Sequence, residues 1–322
     1  PAVVNLTAFE TRFQEKRPFF VEGDGIFEFG GGGGGGGGGM FGMGGGGGGG
    51  GGGTQLLDSR RIGSRPPGDT PDEAVYDDMP DQATILSAAK ITGRTTSGWS
   101  IGLMEAVTQR EMATYIDENR VEGEAEVAPL ANYLVGRVRK DFRNGQSAVG
   151  GIATAVNREL SDEVLESELR SSAYTGGLDF FHEWSDRAWS LTGHISGSRI
   201  AGEASVIEDA QESSARYYQR PDAGHISLDP AATSLTGYSG EISLRRQAGL
   251  HWRGNVEVSA TSPGFEVNDM GYQRDADRRR VSGSLEYQEN RPGDLFRNWE
   301  VSLSPRSTWN FDGDRIDSSV SI

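Results

Sequence analysis

The strongest constraint on this chain is an alternation of apolar and polar residues that recurs from about residue 84 to its end. In "AYTGGLDFFHEW" (173–184) the two sets of alternate positions differ sharply, with Phe181 the exception. The apolar set is Tyr174, Leu178, Phe180 and Trp184, and the polar set is Thr175, Asp179 and Glu183. Successive side chains of a strand point to opposite faces. The pattern therefore predicts strands whose two faces meet different environments.

About ten such strands, and the start of another, follow one another between residues 84 and 322. Short turns alternate with long polar insertions. The short turns are "TTSG", "RNGQ", "SDR", "QAG" and "RPGDLFRN", and the insertions span 111–130, 157–172, 199–233 and 261–279. Asn-Gly between alternating runs is a strong hairpin signal. Tight turns at one rim and long loops at the other are typical of a transmembrane antiparallel up-and-down β-barrel.

Aromatic residues recur near the predicted strand ends, where the interfacial belts of a membrane barrel would place them. They are Trp99, Tyr133, Trp184, Trp189, Trp252, Tyr287 and Trp299. In this interpretation Trp189, Leu191, Trp252 and Val256 face hydrocarbon, while their polar neighbours enclose water. A soluble β-rich binding protein is the alternative, because a β-sandwich also alternates with its apolar side chains inward. A polar face rich in Gly, Ser, Thr and charge favours the membrane barrel.

Closure of this barrel is predicted to need more strands than the sequence supplies. Unpaired backbone groups at an open sheet edge are costly in lipid, and bacterial barrels generally have an even number of strands. The strand that begins near residue 315 is therefore expected to belong to an incomplete barrel, with further strands after Ile322.

The charge and residue types exclude several classes of site. The formal net charge is -16, from 31 Lys and Arg against 47 Asp and Glu, so nucleic acid is not an expected partner. Cysteine is absent, which removes disulfides, thiolate zinc sites and Cys nucleophiles. No run of eighteen apolar residues predicts a transmembrane helix.

Four regions are predicted along the chain. Residues 1–29 form an N-terminal segment that lines or plugs the barrel, and 30–53 form a Gly-rich linker. Residues 54–82 are predicted to be a loop, and 83–322 to be the barrel strands and long extracellular loops. Two other interpretations of the Gly tracts stay open: an ordered Gly-rich packing element, or glycine written where side chains were not identified.

Several stretches resemble a known family. "PAVVNLTAFETRFQEKRPFFVEG" (1–23) and "SRRIG" (59–63) are similar to segments of large, uncharacterised bacterial outer-membrane proteins, domain of unknown function 5916. The stretches "AAKITGRT", "ARYYQRPDA" and "SPGFEVNDMGYQRDAD" are also similar, and Leu57-Asp58 departs from an aromatic pair usual in the family. The resemblance implies a C-terminal outer-membrane barrel. It also implies an upstream domain like a family-nine carbohydrate-binding module, which this sequence does not include.

Two groups of charged residues are candidate functional residues. The predicted lumen-lining residues are Arg137, Arg139, Asp179, Glu183, Arg245, Arg253 and Glu257. Opposed charges across a lumen tune solute selectivity, and the alternative is that they only solvate a polar wall. The residues predicted to anchor the N-terminal segment are Glu15, Lys16, Arg17, Arg60 and Arg61, with the arginines bound to acidic groups of the barrel.

No catalytic group, metal or cofactor is predicted. His182 and His194 lie on neighbouring predicted strands, but His182 falls among apolar side chains, which favours isolated histidines over a metal pair. His225 and His251 are isolated, and "DADRRR" (275–280) lacks EF-hand spacing.

Three functions remain open at this point. The first is a bacterial outer-membrane barrel for passage or capture of a small solute, with a saccharide as one candidate, embedded in outer-membrane lipid. The second is a structural membrane protein that packs with partner chains or copies of itself into a surface array or tube. The third is the soluble binding protein. An enzyme on a barrel anchor has no residue-level support.

Overall fold

The computed structural model of the protein describes residues 15–30 and 54–322, and these residues are mainly β-structure. The predicted Gly-rich linker, apart from Gly30, lies outside the described residues, as does the first half of the predicted N-terminal segment (1–14). The short helices of the described part are α1 (Pro18–Val21), α2 (Glu163–Glu168) and α3 (Ala204–Glu212). No helix within these described ranges has the length and apolar character needed to cross a membrane.

Fourteen strands are present in the described part of the chain. In chain order they are β1 (Ala74–Asp78), β2 (Ile85–Arg94), β3 (Trp99–Thr108), β4 (Glu111–Asp117), β5 (Glu122–Ala128), β6 (Leu130–Phe142), β7 (Ser147–Glu159), β8 (Ser172–Trp184), β9 (Trp189–Ala201), β10 (Ser234–Arg246), β11 (Trp252–Thr261), β12 (Arg278–Glu289), β13 (Trp299–Trp309) and β14 (Arg315–Ser321). Eleven of them form one large sheet in the order β14-β13-β12-β11-β10-β9-β8-β7-β6-β3-β2.

The predicted up-and-down order of antiparallel strands is confirmed. Each strand of the large sheet pairs with its neighbour in the chain, except that β3 and β6 meet across the β4–β5 excursion. Every strand predicted between residue 84 and the end corresponds to one strand of this sheet. Within the described residues β2 and β14 form its two edges and are not paired with each other, so a closed barrel is not found.

Turn chemistry accounts for the tight hairpins at one end of the sheet. Between β6 and β7, Asn144 and Gly145 both take positive φ (55° and 82°), which the Asn-Gly pair allows. At the β2–β3 turn Gly98 has φ +88°, and a side chain there would lie 2.9 Å from the carbonyl oxygen of Asp141. We call this end of the sheet the short-turn rim and the opposite end the long-loop rim.

A second, smaller sheet was not predicted. It has the order β1-β4-β5, and it draws β1 from the predicted loop 54–82 and β4 with β5 from the predicted polar insertion 111–130. These strands have five to seven residues, carry many acidic side chains and lack a continuous apolar face. The helices α2 and α3 likewise lie inside insertions that were predicted to be loops.

The two faces of the large sheet differ as the alternation predicts. In β3 the exposed fractions alternate strictly, from 42% at Trp99 to 2% at Ser100 and 46% at Ile101. We call the face that carries Trp99 and Ile101 the outer face, and the face that carries Ser100 the inner face. On the outer face Trp252 and Val256 are exposed. Trp189 and Leu191, on the same face, are partly exposed.

The inner face is not uniformly polar, although the sequence predicts polar residues that enclose water on this face. Near the long-loop rim it carries a buried apolar cluster that packs against α1, α3 and the loop at Met270. Its strand residues are Met104, Ala106, Ala131, Tyr133, Val135, Val156, Ala173 and Ile200. Tyr133, predicted for an interfacial belt, is 8% exposed and belongs to this cluster instead.

Candidate functional site on the inner face of the large sheet

A buried ion pair joins β6 to β8 near the middle of the inner face. Arg137 Nη1 and Nη2 donate to Asp179 Oδ1 and Oδ2 at 2.6 and 2.7 Å, and the side chains are 0% and 7% exposed. Gly150 of β7 lies between the two strands, and a side chain there would approach the pair to 2.7 Å. The glycine therefore leaves the space in which the guanidinium and carboxylate meet.

The N-terminal segment (15–30) lies on the inner face over this pair. The ring of Phe29 lies 5.7 Å from the Arg137 guanidinium and 5.4 Å from the ring of His194. The backbone N–H of Gly30 donates to Asp179 Oδ2 at 3.4 Å. The ion pair formed by two of the predicted lumen-lining residues is thus also a docking point for the segment.

Glycines on the inner face accept the aromatic side chains of this segment. A Cβ at Gly102 would lie 2.9 Å from the ring of Phe27, and one at Gly177 would lie 2.4 Å from the ring of Phe29. The Lys90 ammonium of β2 donates to the carbonyl oxygens of Phe19 and Glu22. Shape and hydrogen bonds together hold residues 19–30 against β2, β3 and β8.

Two of the predicted anchoring residues connect the N-terminal segment to the turn at Ser59. Arg17 pairs with Glu15 at 2.6 Å and donates to the carbonyl oxygens of Ser59 (2.8 Å) and Ile62 (2.6 Å). Ser59 Oγ donates to Glu15 Oε2 at 2.9 Å. Burial alone would raise the pKa of Glu15, but hydrogen bonds from Arg17 and Ser59 lower it to about 2.

The other anchoring residues have different surroundings. Arg60 pairs with Asp58 at 2.6 Å, and Arg61 Nε donates to the carbonyl oxygen of Gly271 at 3.3 Å. The side chain of Lys16 is exposed. Among the described residues the carboxylate bound by Arg17 is Glu15 of its own segment, so the prediction that Arg17 binds an acidic group of the barrel was wrong.

The remaining predicted lumen-lining residues are not gathered into one site. Arg139 pairs locally with Asp141 at 3.0 Å, and Glu183 accepts from Gln247 Nε2 at 3.0 Å near the short-turn rim. Arg253 lies 3.9 Å from Glu286 of the next strand. Arg245 is exposed at the end of β10, and Glu257 lies opposite Ser282. Within the described part of the chain, Arg137 and Asp179 are the two members of this set that form an ion pair with each other.

The histidines occupy separate environments. His182 lies on the outer face, stacked on Trp184 at 5.6 Å, whereas His194 lies on the inner face beside Phe29. His225 contacts Asp277 at 2.9 Å, and His251 Nδ1 lies 3.0 Å from the carbonyl oxygen of Gln288. Within residues 15–30 and 54–322 no group of three or more metal-binding side chains is assembled.

A network of buried ion pairs that the sequence did not reveal fastens the long-loop rim. Asp269 accepts from Arg158 at 2.7 Å and from Arg170 at 2.6 Å, and Glu266 pairs with Arg216 at 2.6 Å. Burial alone would raise the pKa of both carboxyls, but the neighbouring arginines hold the pKa of each below its usual value. The loop 262–277 is thereby held to the end of β7 by Arg158, to the segment before β8 by Arg170 and to the segment after α3 by Arg216.

This network predicts a loss of stability in acid. A carboxyl whose folded pKa is lowered stabilises the fold above its unfolded pKa, near 4, and that stabilisation is lost as pH falls through the folded value. We expect the unfolding temperature to decline from about pH 4 downward. In Asp269→Asn the protein should be less stable at pH 7 and should lose less on acidification. Equal losses in both proteins, measured by thermal unfolding at pH 7 and pH 3, would contradict this assignment.

Aromatic side chains ring the outer face at the short-turn rim. Trp184 stacks on Trp189, and Tyr287 contacts both Trp252 and Trp299 with ring centroids 4.9–5.1 Å apart. Basic side chains lie over these rings, with Lys140 over Trp99 at 5.2 Å and Arg246 over Trp189 at 5.6 Å. Between this girdle and the long-loop rim the outer face carries exposed aliphatic side chains. They include Ile101, Leu103, Val138, Leu178, Ile195, Ile242, Val256 and Leu285.

The described residues define an all-β protein built on one large antiparallel meander. Its outer face is apolar, and the N-terminal segment (15–30) packs on part of its inner face. The chain belongs to the family described as domain of unknown function (DUF5916), whose model matches residues 1–31 and 53–321. The resemblance found in the sequence is therefore confirmed, and the break in the match falls within the Gly tracts. Curated proteins provide no match to this chain.

Proposed function

We propose that this protein is a bacterial outer-membrane β-barrel that serves the passage or capture of a solute. The outer face is the observation that carries the proposal. A continuous row of large apolar side chains, many of them about half exposed, is unusual on a surface that faces water. Hydrocarbon would cover this face without any further protein, whereas the polar residues of the inner face would meet water or solute.

The height of the apolar band supports this environment. On β8 the outer-face residues Tyr174 and Trp184 are ten positions apart, and on β13 so are Trp299 and Trp309. Ten residues rise roughly 33 Å along a strand, or roughly 25 Å along the membrane normal at a tilt of about 40°. The apolar band of outer-membrane barrels is also roughly 25 Å tall between its aromatic girdles.

In this proposal both edges of the large sheet are paired within the membrane. The edge strands β2 and β14 present unpaired backbone groups, and nearly all residues of both strands are exposed. Each unsatisfied group would cost several kcal/mol in hydrocarbon. Pairing of β2 and β14 with each other or with additional strands removes that cost and encloses the inner face.

The N-terminal segment would control access to the enclosed space. It covers the inner face of β2, β3 and β8 through Phe27, Phe29 and the carbonyl groups bound by Lys90. The inner wall of β10 to β14 is polar, and these strands form the half of the large sheet that is farther from β2 and β3. A solute would therefore pass along or bind to this wall, with the segment acting as a plug.

Planar-bilayer recordings of the full-length protein test passage. We expect Phe29→Ala to raise ion conductance above that of the unmodified protein, because it removes the ring that fills the space at Gly177. The control is Phe142→Ala, an exposed outer-face residue at the short-turn rim, which should leave conductance unchanged. A barrel that inserts but stays closed in all three forms would count against passage.

A structural role in a surface array is the second candidate. The small sheet β1-β4-β5 and its β4–β5 turn expose apolar side chains, with Tyr76 of β1 at 72% and Val121 of the turn at 60% exposure. Contacts between neighbouring molecules would bury them. Higher-order particles after gentle detergent extraction, together with closed barrels in bilayers, would favour this role over passage.

A further inference from the structure

The inner wall of β10 to β14 carries two neighbouring rows of polar residues, one residue from each strand. The register places Glu241 opposite Ser259, Ser259 opposite Arg280, Arg280 opposite Thr308 and Thr308 opposite Asp317. The next inner-face row, nearer the short-turn rim, contains Ser243, Glu257, Ser282, Arg306 and Ser319. The wall therefore presents guanidinium groups among hydroxyls, with carboxylates on both flanks.

Arg280 and Arg306 are diagonal neighbours in these rows. Arg280 lies opposite Thr308, and Arg306 precedes Thr308 by two residues on the same strand and the same face. Diagonal partners in an antiparallel pair are about 7–8 Å apart at the backbone, within reach of long side chains. Two guanidinium groups and one hydroxyl can thus contact a single small group.

These three side chains hold buried donors that lack a partner in the described part of the chain. Arg280 Nε, Arg306 Nε and Thr308 Oγ1 make no hydrogen bond there, and Thr308 is 0% exposed. Asp317 lies 3.9 Å from Arg306 Nε, beyond hydrogen-bond distance. Leaving a buried polar group unsatisfied is costly. A ligand group with several acceptor oxygens would satisfy these three donors on adjacent strands.

Three consecutive arginines begin β12, and Arg280 differs from the other two in its contacts. Arg278 pairs with Asp275 at 3.0 Å, and Arg279 lies over the ring of Phe311 at 4.3 Å. Among the described residues Arg280 has no carboxylate within ion-pair distance (4.0 Å), unlike Arg278. Its charge is therefore available to a ligand.

We propose that Arg280, Arg306 and Thr308 bind an oxyanion group, a carboxylate or a phosphate or sulfate, of a solute at the inner wall. The planar guanidinium fork matches both geometries, and charge-assisted hydrogen bonds are the stronger kind. Glu257 is diagonal to Arg280 and Asp317 flanks Thr308, so the site accepts one small group and not an extended polyanion. The site deepens the proposed function, because it rests on that wall being the surface that a solute meets.

Isothermal titration of the full-length protein in detergent, at low ionic strength, tests the site with acetate, inorganic phosphate and sulfate. Binding of acetate alone assigns a carboxylate, and binding of phosphate and sulfate assigns a tetrahedral group. We expect Arg280→Gln to weaken binding about tenfold or more, since one charge-assisted fork is lost. Arg279→Gln removes the same charge one residue away on the opposite face and should change affinity less than about twofold.

A second variant is expected to change the affinity for the oxyanion in the opposite direction. Glu257→Gln removes a flanking negative charge and should tighten oxyanion binding by a few-fold. Absence of anion binding to the unmodified protein, or equal effects of Arg280→Gln and Arg279→Gln, would overturn the site. Because binding is measured in detergent, a protein that binds through Arg280 but never conducts refutes only passage. A protein that conducts ions, but whose anion affinity is unchanged by Arg280→Gln, refutes only the site.

Discussion

Replacing Asp179 by alanine should lower the free energy of unfolding by about 3–5 kcal/mol, because it leaves a fully buried guanidinium without its partner. Arg137 is 0% exposed and donates both of its terminal nitrogens to this one carboxylate. Asp179 also accepts from the backbone of Gly30, so the N-terminal segment should loosen as well. Chemical unfolding in detergent, followed by tryptophan fluorescence, gives the size of the loss.

The neighbouring pair on the same strand supplies the matched control. Arg139 and Asp141 are 3.0 Å apart, but each side chain is about one-fifth exposed (21% and 23%). Asp141→Ala should therefore cost less than about 1 kcal/mol, as exposed pairs do. The double variant Arg137→Met with Asp179→Leu should recover much of the loss, since no buried charge remains unpaired. If Asp179→Ala costs no more than Asp141→Ala, the pair is not the buried anchor described here.

The alternation of residues was sufficient to predict the large sheet and its two faces. Trp99, Ser100 and Ile101 differ in exposure as the period of two requires, and the short turns fix which strands are neighbours. Both signals are local: a strand's facing depends on its own residues, and a hairpin's partner is a few residues away. This is why the strand order could be read from the sequence and was then confirmed.

The occupant of the inner face could not be predicted from the same signals. Alternation indicates that one face differs from the other, but it does not indicate what covers either one. Phe29 packs on Gly177 and Arg158 binds Asp269, contacts between residues that are far apart in the chain. Glycines at inner positions such as Gly102 and Gly177 were the available clue, since they interrupt the polar pattern where a ring must fit.

The small sheet was missed for a different reason. Its strands β1, β4 and β5 are short and acidic, and their apolar residues do not form a continuous face. An insertion of that composition is typical of a loop, and only pairing between distant segments makes β1 a strand. The prediction that Arg17 binds the barrel failed similarly, because its partners Ser59 and Ile62 offer backbone carbonyls, which leave no mark in the sequence.

An arginine in place of Leu178 should disfavour the membrane-inserted state by about 2–4 kcal/mol, the cost of a cation near the midplane on the lipid face of a barrel. Leu178 is 66% exposed on the outer face, between Tyr174 and Trp184 of the same strand. In the proposed orientation it therefore lies within the hydrocarbon. The fraction of protein that folds into liposomes across a urea titration, measured by vesicle flotation, reports the change.

An arginine introduced outside the apolar band is the control that distinguishes lipid from water as the environment of the outer face. Leu295 is 89% exposed in the β12–β13 turn, beyond the aromatic girdle, so Leu295→Arg should change the insertion free energy by less than about 0.5 kcal/mol. On a soluble protein both substitutions would be surface changes of that small size. Equal and small effects at positions 178 and 295 would therefore refute the membrane proposal, whereas a large effect confined to 178 is the signature of hydrocarbon against the outer face.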